Sequence, residues 1–355
     1  MKLASVLLIL CLLMACAPTP TPESPTPIVR LATFTPVPTL TPYPTPTRAP
    51  TWTPEVTSTP LSSIFTPDPF EAYTINKLRM RQYGGGEAEN LGVMGKSDGF
   101  VRYSIGYPSD ELKIYGFMNV PFGKGPFPVI IALHGYVNLA EYQTLDYTTD
   151  AADAITREGY IVIHPNLRNF PPSDSGDVLF RAGYAIDVLN LIALVQQNAG
   201  QPGLFEKVNA GRIGIWSHSM GGDIALKVAV ISHDVKAILL YSPMSGDEQK
   251  NSQFFNFMTG KSENQKEMLS SPQTFAAVSP DRYYKDITAA IQLHHGTGDT
   301  VIPIAWAQET CQGLKDAGRQ VECFYYDGAE HTFRARYLVD FSPRMNDFFA
   351  KYLKQ

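Results

Sequence analysis

The sequence predicts an α/β protein: a mostly parallel central sheet with helices on both faces and a small insertion over its C-terminal edge. Three observations carry that expectation. Short apolar runs recur from residue 128 onward, the mark of strands covered on both faces. Helix-period segments alternate with them, as the crossovers of a parallel sheet require. Composition also divides the chain, because fifteen of the 28 prolines lie in the first 70 residues and all 27 glycines lie after residue 83. The first fifth therefore cannot pack as a domain, whereas residues 71–355 suffice for one large domain with a substantial core. A net charge of -5 argues against nucleic acid as a main partner. No run reaches the ~18 consecutive apolar residues of a membrane-spanning helix.

The elements follow in order. Phe100–Tyr107 and Leu112–Val120 alternate in polarity and are joined by Pro108-Ser109-Asp110, which predicts an antiparallel hairpin. Pro128–Leu133 (PVIIAL) is the first buried strand, and Tyr160–Ile163, Ile213–Trp216, Val235–Leu240, Ile291–His294 and Val321–Tyr325 repeat the signal. Helical periods fall at about 150–158, 178–198, 220–232, 304–317 and 339–353. Residues 243–286 break the alternation with Gln, Ser, Asn and Phe clusters, and are expected to form the cap-like insertion.

The N-terminus reads as an address. Lys2 precedes a twelve-residue apolar stretch, Leu3 to Met14, too short to span a bilayer and suited to a signal peptide over residues 1–15. It ends in Leu13-Met14-Ala15-Cys16, which resembles the lipobox of bacterial lipoproteins. That resemblance implies cleavage before Cys16, acylation of the cysteine, and anchorage at the outer face of the cytoplasmic membrane or the cell surface. The alternative is an ordinary secretory signal with Cys16 incidental. Residues 17–69 contain 15 Pro and 14 Thr. They offer too few amide donors for helix or sheet and too few apolar groups to offset ordering entropy. The segment through residue 70 is expected to be a disordered, polyproline-II-biased stalk.

The chemistry concentrates after residue 130. Ile213-Gly214-Ile215-Trp216-Ser217-His218-Ser219-Met220-Gly221-Gly222 runs from a strand into a helix and resembles the G-x-S-x-G nucleophile elbow of the α/β-hydrolases. A sharp turn there would project the Ser219 hydroxyl and aim a helix N-terminus at developing negative charge. Ser217 replaces the first glycine, a mild departure. In this fold the acid and then the histidine follow the nucleophile. His331 lies in a loop just after the last strand and is the expected base. His294 and His295 read as structural, and His233 as a helix cap. Asp299, in His295-Gly296-Thr297-Gly298-Asp299, is the expected acid, with helix capping as its alternative use. Asp247 and Glu248 are held in reserve. Two backbone donors should stabilise the oxyanion: Met220 N–H and Tyr136 N–H, the latter from Leu133-His134-Gly135-Tyr136.

The full motif series goes further. Gly116-Phe117-Met118-Asn119-Val120-Pro121, then Pro128-Val129-Ile130-Ile131 and His134-Gly135, then the Ser219 elbow, the HGTGDTVIP stretch from His295, and Ala329-Glu330-His331 together resemble two related families. These are the prolyl oligopeptidase family, through its catalytic domain, and the dienelactone-hydrolase-like esterases. The resemblance covers roughly residues 75–355 and implies a Ser219–His331–Asp299 triad acting on a small ester or peptide without a cofactor. There is no room for a β-propeller and no obvious glutamate pair for a peptide amino terminus, so ester and peptide substrates both stay open. No H-E-x-x-H and no cysteine pair at zinc spacing occurs, and Gly84-Gly85-Gly86 does not open a helix after a parallel strand. Metal and dinucleotide chemistry are therefore not expected. The reading from a different class is a retired hydrolase cleft that only binds. Cys311 and Cys323 would face one another from consecutive elements. A disulfide suits an exported domain, and a pair of small buried thiols is the alternative.

Overall fold

The computed structural model describes residues 68–260 and 264–355. The expected signal peptide, the Cys16 lipidation site and the stalk up to residue 67 lie outside the described residues.

Nine strands form one sheet: β1 (Glu89–Ser97), β2 (Phe100–Ser109), β3 (Leu112–Pro121), β4 (Phe127–Leu133), β5 (Ile161–Pro165), β6 (Val208–His218), β7 (Val235–Tyr241), β8 (Ala290–Gly296) and β9 (Val321–Tyr326). Their spatial order is β1-β2-β3-β5-β4-β6-β7-β8-β9. The first three strands pair antiparallel, and β3 also meets β5 antiparallel. From β5 to β9 every pairing is parallel. Eight helices accompany them among the described residues: α1 (Ile75–Met80), α2 (Thr149–Arg157), α3 (Ala182–Asn198), α4 (Met220–Ile231), α5 (Glu248–Met258), α6 (Pro272–Val278), α7 (Ile304–Asp316) and α8 (Ala335–Leu353).

The central strands are apolar in continuous runs because each serves two cores. In β6, Ile213 and Ile215 enter the larger core with α3 and α4, while Trp216 enters the smaller one with α2 and α8. This two-faced burial is what the sequence pattern encoded. The α3 segment with its 3₁₀ lead-in, Leu179–Asn198, is long and apolar enough to cross a membrane by composition, yet 83% of its most apolar window is buried inside the protein. It is a core helix.

Several boundaries differ from expectation for physical reasons. The hairpin turn falls at Asp110-Glu111, with Asp110 at φ 58, so Pro108 and Ser109 belong to β2. Strand β1 carries no polarity signal because it is an edge strand with both faces exposed. Helix α8 begins at Ala335, before the expected 339, and runs through Pro343. The α4 terminus is capped by Ser232, and His233 is exposed beyond it.

The insertion folds as α5, α6 and two short 3₁₀ turns. A buried ion network ties it to α4. Lys227 donates to Asp223 at 2.6 Å and also meets Glu248, while Arg181 meets Asp223 at 3.0 Å and Glu248. Burial pulls the Lys227 amine down to about 8, against the opposing pull of Asp223. Two cations and two anions balance, so no net charge is stranded. Elsewhere Cys311 of α7 and Cys323 of β9 are joined by a disulfide, with Cα atoms 6.4 Å apart, inside the ~7 Å reach of such a bond.

Candidate active site

Strand β6 passes into α4 through a single residue, Ser219, at φ 55 and ψ -119. A side-chain-bearing residue rarely adopts such a conformation, and holding it costs on the order of 1–3 kcal/mol. Neighbours enforce it. Ser219 N–H donates to Tyr241 O at 3.0 Å, and its own carbonyl accepts from Gly222 N–H (2.9 Å) and Met244 N–H (3.1 Å). Gly221 is required because a Cβ there would lie 2.6 Å from Leu133 O and 2.9 Å from His134 O. Ser217, in place of the first glycine, fits because its hydroxyl donates to Leu239 O at 2.8 Å.

The loop after β4 presses against this turn. A Cβ on Gly135 would meet Ser219 Cβ at 2.9 Å and Tyr147 Oη at 2.2 Å. His134 is buried with its ring nitrogens at 2.6 Å from Gly135 O and 2.9 Å from Asn166 O, which orders the loop. Tyr136 and Met220 line one small cavity together with Arg181, Tyr184 and Phe255.

The loops after β8 and β9 bring Asp299 and His331 together. His331 Nδ1–H donates to Asp299 Oδ2 at 2.7 Å. The other carboxylate oxygen accepts from Val301 N–H (2.8 Å) and Ile302 N–H (2.9 Å). Asp299 thus holds the histidine and orders its own turn; it does not cap α7, whose N-cap is Pro303 with no side-chain cap bond. Burial pushes its carboxyl up, but hydrogen bonds from His295 and His331 and the Ile302 amide outweigh that and hold it well below the usual carboxylate range. The reserve candidates are elsewhere: Asp247 caps α5, and Glu248 is spent in the ion network.

His295 is structural, as expected, and two further residues with a bearing on the site escaped the sequence reading. His295 Nε2 lies 3.2 Å from the same Asp299 oxygen and 3.1 Å from Ile302 O, so it braces the carboxylate that His331 uses. His218 Nε2–H donates to the His331 carbonyl at 3.0 Å, with the two rings 4.8 Å apart. Tyr147 Oη–H donates to His218 Nδ1 at 2.6 Å. Burial, then the nearby His331, pulls His218 down to about 3, so it stays neutral and keeps this donor–acceptor order. A chain from Gly135 through Tyr147 and His218 thereby fastens the His331 loop to the Ser219 turn. Only the position of His218 beside Ser219 could have flagged it. Tyr147 carries no local signal.

With Nδ1 donated to Asp299, the His331 Nε2 is the nitrogen left to take a proton. The chain matches the profile of the Dienelactone hydrolase family over residues 114–342. It belongs to that family. The match runs from β3 into α8 and includes Ser219, Asp299 and His331, and with serine at the elbow the protein is a serine hydrolase. The fold, an α/β-hydrolase, is shared with solved structures. Acetyl xylan esterase 1 from Thermoanaerobacterium is 15% identical with a TM-score of 0.56, covering 78% of this chain and 90% of that one. A Pyrococcus horikoshii acylaminoacyl peptidase is 19% identical with a TM-score of 0.56, covering 78% of this chain and 51% of its own. A Klebsiella pneumoniae protein described as a putative dienelactone hydrolase is 18% identical with a TM-score of 0.51, covering 71% and 99%. No curated protein matches the chain by sequence.

Proposed function

We propose that this family member is an exported, lipid-anchored hydrolase of carboxylic esters that works through an acyl-enzyme on Ser219. The observation that supports it best is the 2.7 Å bond from His331 Nδ1 to Asp299, joined through His218 to the strained Ser219 turn. In the proposed cycle Ser219 Oγ attacks the ester carbonyl carbon while His331 Nε2 takes its proton. Met220 and Tyr136 N–H stabilise the oxyanion. The intermediate collapses, the carbon–oxygen bond to the alcohol breaks, and His331 returns the proton to the departing oxygen. Water, deprotonated by His331, then releases the acid and restores the serine.

Peptide cleavage is the second reading, favoured by the likeness to the acylaminoacyl peptidase over 51% of that chain. A side-by-side assay with nitrophenyl esters and aminoacyl nitroanilides separates the two. Ser219→Ala is expected to lower turnover by ~10⁴–10⁶ while leaving the fold intact. Full activity in that variant would exclude the mechanism. For location, Cys16→Ser should release the protein from the membrane fraction or block its processing, since two or more acyl chains are what hold such an anchor in place. Unchanged membrane association in Cys16→Ser would contradict lipidation.

A further inference from the structure

Helix α5 of the insertion turns one face inward: Glu248, Asn251, Ser252 and Phe255. Glu248, in its first turn, enters the ion network with Asp223 and Lys227 of α4, the helix that starts at the nucleophile turn. About two turns further on, Phe255 is 4% exposed and touches two groups. The Arg181 guanidinium carbon lies 4.8 Å from its ring centroid, and the Tyr136 ring meets it edge-on at 5.4 Å. Arg181 is itself held by Asp223 at 3.0 Å and by Glu248. A continuous packed path therefore runs from the ion network through Arg181 and Phe255 to Tyr136.

Two observations give that path a bearing on the reaction. Tyr136 follows Gly135, whose backbone approaches the nucleophile so closely that a Cβ there would lie 2.9 Å from Ser219 Cβ. The segment that Phe255 props is thus the one beside Ser219. Met220, the residue after Ser219, lines one small cavity with Tyr136, Phe255 and Arg181. That cavity measures about 20 Å³, room for roughly one water-sized group, so these side chains have little space in which to shift. The second observation is backbone strain. Phe180 and Arg181 lie consecutively at φ 52 and 55, a region that residues with side chains seldom occupy. Phe180 N–H donates to Glu267 of the insertion at 3.2 Å, and the ion network holds Arg181. Such conformations persist where the surroundings over-determine them. Here the insertion and α4 do so, and what they fix is the place of the guanidinium over Phe255.

We infer that Phe255 and Arg181 are positioning residues: through the Phe255 ring, the insertion holds the Gly135-Tyr136 segment against the nucleophile turn. Both act through Tyr136 and not on the substrate. They keep its N–H where the oxyanion forms, so their loss is felt in the transition state and not in substrate binding. This rests on the reading of Tyr136 N–H as an oxyanion donor in ester hydrolysis.

The test uses the detergent-solubilised full chain and nitrophenyl acetate, with active sites counted by fluorophosphonate labelling. Phe255→Leu keeps an apolar side chain and removes the ring. Its kcat per active site is expected to fall about tenfold with KM little changed. The inhibition constant of trifluoroacetophenone, whose adduct on Ser219 carries the same oxyanion, should rise by about the same factor. A variant that was merely less folded would lose active sites and leave both per-site values as they are. Tyr136→Leu, at a residue 38% exposed, keeps the N–H and should show the same losses. Because Phe255 acts through Tyr136, the two substitutions together should cost about tenfold, not the roughly hundredfold product of independent effects. Either single variant within twofold of wild type, a loss carried by KM alone, or losses that multiply in the double variant overturns the positioning role while hydrolysis stands. A wild-type enzyme that turns over no ester and takes no fluorophosphonate overturns the reading beneath it.

Discussion

Gly135→Ala is the most specific perturbation the geometry offers. Gly135 is outside the left-handed region, so the substitution carries a steric cost and no backbone strain. The new Cβ would lie 2.2 Å from Tyr147 Oη, 3.0 Å from Tyr147 Cζ and 2.9 Å from Ser219 Cβ, where ordinary contact begins at 3.4 Å. Relief needs Tyr147 to retreat by about 1.2 Å and Ser219 by about 0.5 Å, the differences from that contact distance. Tyr147 is held to His218 at 2.6 Å, so its retreat loosens the tie to the His331 loop. Misplacing reacting groups by ~1 Å costs on the order of 10²-fold in rate. The expected result is a kcat about 10²-fold lower with KM little changed, and stability reduced by ~1–3 kcal/mol, as for other overpacked sites. Steady-state kinetics on nitrophenyl acetate, with circular dichroism to show that the variant is folded, measures both. Adding Tyr147→Phe removes the nearest clashing atom and should recover part of the rate. A folded Gly135→Ala enzyme within twofold of wild type would refute the close approach.

Three further expectations concern the triad acid, the buried histidines and the disulfide. Asp299→Asn keeps an acceptor for Val301 and Ile302 N–H but spoils the histidine tautomer, so kcat should fall by ~10³–10⁴ with the melting temperature nearly unchanged; retained activity would remove Asp299 from the mechanism. His218 and His294 are each pulled down to about 3, chiefly by burial, and His164 well below its ordinary 6.5. The unfolded chain binds these protons first, so their stabilisation is full above pH 6.5 and is lost as pH falls toward 3, at up to ~1.4 kcal/mol per pH unit per group. Denaturant titrations at pH 7, 5.5 and 4.5 should show that slope, shallower in His218→Phe; a flat profile would contradict it. Mass spectrometry of the alkylated, unreduced protein should find Cys311 and Cys323 unmodified, and two alkylated thiols would mean the bridge does not form.

What the sequence could and could not convey divides along physical lines. Central strands were legible because burial on both faces forces continuous apolar runs, as in Ile130 and Ile131. The edge strand β1 was not, since neither of its faces is covered and no pattern is imposed. Ser219 was legible because a strand-to-helix turn with small flanking residues is a local constraint. Asp299 and His331 followed from chain order and from their loops after β8 and β9. Tyr147 and His218 act through contacts made only when distant loops meet: Tyr147 and His218 are 71 positions apart, and His218 and His331 are 113 apart.

The central claim is that Ser219 is the nucleophile, activated by His331 and Asp299. Intact-mass and peptide-mapping spectrometry after treatment with a short-chain fluorophosphonate tests it most directly. The account predicts a single covalent adduct on the peptide that bears Ser219, formed in step with loss of esterase activity, and none in folded Ser219→Ala. An active enzyme that forms no adduct, or forms it on another residue, would contradict the account.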